Sequence, residues 1–136
     1  MNVNDILNGI VYIPQYISEK DADLKNITMI KSFRSDIYKW ERIDTAKDIL
    51  YKETGYSDWR VPTLNEMHAL YRQNCDIYFS AKKYTSKDLS KALFNYTYWT
   101  STELTRNSTY YTICFFNGRI GEAMIKCDSK CLMLVR

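Results

Sequence analysis

Three consecutive residues, Asp58-Trp59-Arg60, bring a carboxylate, an indole and a guanidinium together where the chain must turn. Two chemistries are open to them. In a working site Asp58 would act as a base or ligand and Arg60 would clamp an anion. In a structural corner Trp59 would enter the core, Arg60 would bond carbonyls or a carboxylate with its planar fork, and Asp58 would shape the turn. The setting favours the corner. Gly55 stands where a left-handed helix cap belongs, and Pro62 disfavours helix at Val61. Thr63-Leu64-Asn65-Glu66 has capping-box spacing, with Thr63 capping the next helix and Glu66 reaching back to it.

Other chemistry-bearing groups are weaker. Trp99-Thr100-Ser101-Thr102-Glu103 would offer hydroxyls and a carboxylate to a sugar or metal, but reads more simply as a core strand with Trp99 inward and Glu103 opening a loop. Cys127 and Cys131 form C-x3-C around a turn. With one histidine in the chain, His68, and no second Cys pair, this is a poor zinc site, and a cross-strand disulfide or two free thiols is expected. Cys114 alternates with Thr112 and Phe116 and is expected to be buried; Cys75 lies elsewhere. No Ser/His/Asp set is available, so no enzyme, cofactor or metal site is expected. Aromatic and basic residues gather in less regular parts: Lys82, Lys83 and Tyr84; Tyr96 and Tyr98; Arg106; Arg119. Tyr and Arg are preferred anchors of binding surfaces, and these are the candidate ligand-binding residues.

Several elements must position these groups. Gly9 to Ile17 reads as a strand with Pro14 at an edge or bend, followed by a polar connection and a second strand over Ile27–Phe33. Trp40, Ile43, Ala46 and Leu50 fall at helical spacing, with Glu41, Asp44, Lys47 and Asp48 on other faces. This predicts a first helix between Ser35 and Gly55. A second, with Leu64, Met67, Leu70 and Tyr71 on its apolar face, runs to about Asn74. Ser86–Phe94 is a candidate short helix. The remainder is β: Tyr96–Glu103, then a hairpin over Asn117-Gly118, then a turn at Asp128-Ser129-Lys130 into a last strand from Cys131. Strands, two helices and a β-rich half in that order mean α+β with an antiparallel sheet, in one domain over residues 1–136.

The run from Trp40 through Ala46 to "GYSDWRVPTLNE", then "YWTSTE", "F-x-NGRI" and a terminal "LVR", resembles the DUF1566 family, which includes the C-terminal domain of the Legionella collagen-like adhesin. The resemblance is strongest over 40–136. It implies a C-type-lectin-like fold: two helices against a twisted antiparallel sheet, with a loop-rich second β region. It marks Trp40, Asp58, Trp59, Arg60, Pro62, Thr63, Glu66, Trp99 and Gly118 as the structural motif. Family members often carry a Cys in the first helix and another in the last strand. Here Leu50 and Leu134 stand there, a paired replacement that suits a reducing compartment. The loop and strand signatures of calcium-dependent lectins are absent. The adhesin relatives imply attachment to glycosaminoglycans and host surfaces, so sulfated glycans are the expected ligand. A protein partner or assembly role is the alternative.

Charge sets further bounds. A net charge of +3 over 136 residues is far from the dense cationic field of a dedicated nucleic-acid binder, so nucleic acid is not an expected partner. The N-terminus lacks a basic region and a long apolar run, and no segment is long enough to span a bilayer. A cytoplasmic chain is expected, with non-classical export and oligomerisation left open. Twelve Tyr, five Phe and three Trp suit half-buried strands and binding faces equally.

Overall fold

The computed structural model describes residues 10–13, 15–73, 97–104, 108–115 and 117–136, and of residues 34–37 the backbone. In chain order these form β1 (Ile10–Tyr12), α1 (Gln15–Lys20), β2 (Met29–Lys39), α2 (Ile43–Thr54), α3 (Leu64–Arg72), β3 (Thr97–Glu103), β4 (Thr109–Cys114), β5 (Ile120–Met124) and β6 (Ser129–Val135). Short 3-10 turns cover Ala22–Leu24 and Trp40–Arg42. Among the described residues the six strands make one open sheet in the order β1-β2-β6-β3-β4-β5. All pairs are antiparallel except β3 with β6, which run parallel at Tyr98 and Cys131. The class is α+β. The sheet is of mixed sense, and the C-terminal β region is continuous with it.

β6 explains the layering. It lies inside the sheet between β2 and β3 and is covered on both faces, hence its near-continuous apolar run. Cys131, Met133 and Val135 join one core cluster, with Ile17, Leu24, Met67, Ala69, Leu70, Tyr98 and Ile113. Leu132 and Leu134 join the other, where Ile43, Ala46 and Leu50 of α2 pack with Trp59 and Trp99. Leu50 and Leu134, the expected positions of the family's cysteines, are both fully buried in that second cluster.

Four boundaries differ from the sequence reading. The first strand stops at Tyr12, and Gln15–Lys20 is helical. Gln15 Nε2 donates to Glu19 Oε1 one turn on, and Ile17 alone of α1 is buried; Pro14, expected at an edge or bend, lies outside the described residues. Ser35–Lys39, assigned to the first helix, belongs to β2. Pairing of Tyr38 with Lys130 and Lys39 with Ser129 overrides the helical spacing, and α2 begins at Ile43. The last turn lies at 125–127, so β6 starts at Ser129. The second helix ends at Arg72; Asn74 and the candidate helix Ser86–Phe94 lie outside the described residues.

Candidate functional site

The corner is built by hydrogen bonds that leave little freedom. Gly55 closes α2 at φ 79°, its N–H donating to the Tyr51 carbonyl at 2.7 Å. Trp59 is buried, and its Nε1 donates to Thr54 Oγ1 at 3.3 Å. The Arg60 main chain then pairs with Val135, N–H to carbonyl in both directions at 2.9 and 2.8 Å. The Pro62 carbonyl accepts from Ser101 N–H at 2.9 Å. The corner is thus stitched to both β6 and β3.

Its side chains close the lock. Arg60 Nη1 and Nη2 donate to Glu66 Oε1 and Oε2 at 2.6 and 2.7 Å, a bidentate fork. Glu66 Oε1 also accepts from Thr63 N–H at 2.9 Å, and Thr63 Oγ1 accepts from Glu66 N–H at 3.2 Å, completing the capping box. The next N–H, of Leu64, donates to Thr102 Oγ1 on β3 at 2.9 Å. Burial pushes the Glu66 carboxyl up, but the Arg60 fork, the Thr63 N–H and the Arg60 charge outweigh it and hold the group below the usual carboxylate range. Asp58 is exposed and paired with Arg136, Nη2 to Oδ2 at 3.1 Å; that hydrogen bonding lowers its pKa too. The Arg136 guanidinium also lies 3.7 Å from the Tyr56 ring centroid.

Beside the corner lies an open groove of about 490 Å³. Trp40, Ile43 and Val61 supply its apolar wall, Glu41, Asp44, Lys47 and Arg60 its charges, and Thr63 and Ser101 its hydroxyls. The Trp40 ring stacks on Tyr110 at 4.1 Å and meets Trp99 edge-on at 5.4 Å. Trp99 is itself fixed by Nε1 donating to the Tyr38 carbonyl at 2.8 Å. The groove wall is therefore pre-organised. Its residues come from the turn before α2, the first turns of α2, the corner and β3.

The sequence profile of the Lcl C-terminal domain family matches residues 3–136. The chain belongs to the Lcl C-terminal domain family. This is the C-terminal domain type of a collagen-like adhesin, which associates it with surface binding. No curated protein matches the chain.

Within this Lcl C-terminal domain the expected ligand-binding residues do not gather in the groove. Lys82, Lys83, Tyr84 and Arg106, with Tyr96 and Cys75, lie outside the described residues. Tyr98 is corrected: it is fully buried, its hydroxyl 3.2 Å from Ser32 Oγ and its ring 5.2 Å from Phe115. A residue with no exposed surface is a core aromatic, not a ligand contact. Arg119 is exposed on the β4–β5 connection, where its N–H donates to Asn117 Oδ1. Gly118 there takes φ 73° directly over Tyr71 of α3. The sequence hairpin is a wider connection, from Cys114 to Ile120, closed by Cys114 N–H on the Arg119 carbonyl.

Cys114 is half-exposed rather than buried; Thr112 and Ile113 fill the core instead. Cys114 and Cys127 carry free thiols, so the expected alternative of a cross-strand disulfide at Cys127 is not formed. Among the described residues no group of three His, Cys, Asp or Glu side chains is placed to hold a metal, and no helix is long and apolar enough to cross a membrane. Sequence reasoning favoured a structural role for Trp40, Arg60, Thr63 and the strand that holds Ser101, and missed Glu41, Asp44 and Lys47 as groove residues. A signal was present: Trp40, Asp44 and Lys47 fall at i, i+4 and i+7, one face of a helical turn.

Proposed function

We propose that this domain is a non-enzymatic recognition module on a C-type-lectin-like scaffold, attaching to sulfated or otherwise anionic glycans at a host or cell surface. Membership of the Lcl C-terminal domain family carries this reading. The net charge of +3 and the exposed Arg119 support it, as do the adjacent Lys82, Lys83 and Tyr84 and the separate Arg106 in the sequence, because sulfate groups take charge-assisted hydrogen bonds from Lys and Arg. The corner serves by holding the scaffold rigid beneath loops, the usual division of labour in recognition domains.

The test compares one polysaccharide in its sulfated and chemically desulfated forms. Immobilised sulfated chains should capture the protein and desulfated chains should not. Alanine at Lys82, Lys83, Arg106 and Arg119 together should weaken capture at least about tenfold, the effect of roughly 1.4 kcal/mol. Equal capture by both forms contradicts the reading.

A second reading, a protein-interaction or assembly subunit working in a reducing compartment, is favoured by one observation. Leu50 and Leu134 fill the core where the family often carries cysteines, while Cys127 stays an exposed free thiol. It predicts a specific protein partner or stable oligomer and no glycan capture.

A further inference from the structure

The groove beside the corner has the wrong charge for a polyanion. Its cations, Lys47 and Arg60, are balanced by its anions, Glu41 and Asp44. Arg60 is held in the fork to Glu66, a further carboxylate immediately behind it, and Lys47 Nζ lies 4.0 Å from Asp44 Oδ1. A sulfate entering here meets no net attraction. A sugar hydroxyl differs, because it donates and accepts at once. Carboxylates stand ready to accept, the Lys47 ammonium and the remaining Arg60 N–H groups to donate, and the Thr63 and Ser101 hydroxyls to do both.

Shape points the same way. Trp40 is pinned by Tyr110 and Trp99, so presenting its remaining surface costs little conformational entropy on binding. The volume of about 490 Å³ falls inside the ordinary small-ligand range of roughly 300–1,000 Å³. An apolar wall with a few convergent polar groups is the usual anatomy of such sites. We propose that the groove binds one uncharged pyranose unit, its C–H face against the Trp40 indole and its hydroxyls bridging the Asp44 and Lys47 side and the Thr63 and Ser101 side. The proposal rests on the glycan-recognition reading above and goes beyond it. It adds a site for a neutral sugar, insensitive to salt and separate from any anionic contact.

The experiment titrates isotopically labelled protein with methyl glucoside, methyl galactoside and N-acetylglucosamine by nuclear magnetic resonance. Salt is held at about 1 M, where the Debye length is about 3 Å. At least one sugar is expected to shift the Trp40 indole and Ser101 amide signals with a Kd of about 1 mM. Trp40→Ala would also disturb the packing on Trp99, so the deciding variants are the exposed Ser101→Ala and Asp44→Asn. Together they should weaken binding about tenfold without moving the melting temperature. No shift with any of the three sugars overturns the proposal, and so do shifts that both variants leave unchanged. Capture on sulfated polysaccharide at low salt, measured on the same samples, separates the two claims. Capture without groove shifts sinks only the groove site. Groove shifts without capture sink only the anionic reading.

Discussion

Glu66 is the residue on which the corner turns. It is 8 % exposed, yet accepts from both Arg60 terminal nitrogens and from Thr63. Arg60→Ala would leave that carboxylate with the Thr63 cap alone. The expected cost is about 2–3 kcal/mol, below the 3–5 kcal/mol of a fully buried pair because the Arg60 side chain is 39 % exposed. Glu66 and Asp58 both have folded pKa values below their unfolded ones. Their contribution is therefore complete above the unfolded carboxylate range, near pH 4, and is lost as pH falls through the folded values. Melting temperature should stay level near neutrality and drop on acidification, and Glu66→Gln should flatten part of that acid limb. Among the described residues two glycines take positive φ, and they make a matched pair. An added Cβ at Gly55 meets nothing within 4 Å, whereas at Gly118 it would lie 2.5 Å from a Tyr71 ring atom. Gly55→Ala should cost about 1–2 kcal/mol of backbone strain, and Gly118→Ala distinctly more, read from denaturant midpoints.

At the level of elements, what was local in sequence was legible. The Thr63–Glu66 box, the Gly55 cap and the apolar face of α3 each depend on neighbours within a turn or two. Thr63→Ala should remove about 1 kcal/mol and loosen the first turn of α3, visible as faster amide exchange at Leu64 and Glu66. What depended on distant pairing was not legible. Trp40 carries helical spacing, but pairing of β2 with β6 keeps the chain extended through Lys39 and delivers the indole to Tyr110. Tyr98 was misplaced for a related reason. Both Tyr98 and Trp99 are buried because both faces of β3 are covered, so alternation along the strand gave no sign of an outward side. Only one side of the groove was legible, in the spacing of Trp40, Asp44 and Lys47; the corner and β3 supply the rest and meet that side only in the folded chain.

Across the whole molecule, a mixed sheet is packed between α2 on one face and α1 and α3 on the other, one body with a core on each side of the sheet. The family profile extends over nearly all of it. Our account gives that body one central role, salt-dependent attachment to anionic glycans. The most direct measurement is the affinity for a sulfated polysaccharide as salt rises from about 0.01 M to about 1 M, shrinking the Debye length from about 30 Å to about 3 Å. We expect affinity to fall continuously and by at least about tenfold. An affinity that stays constant across that range would contradict the account.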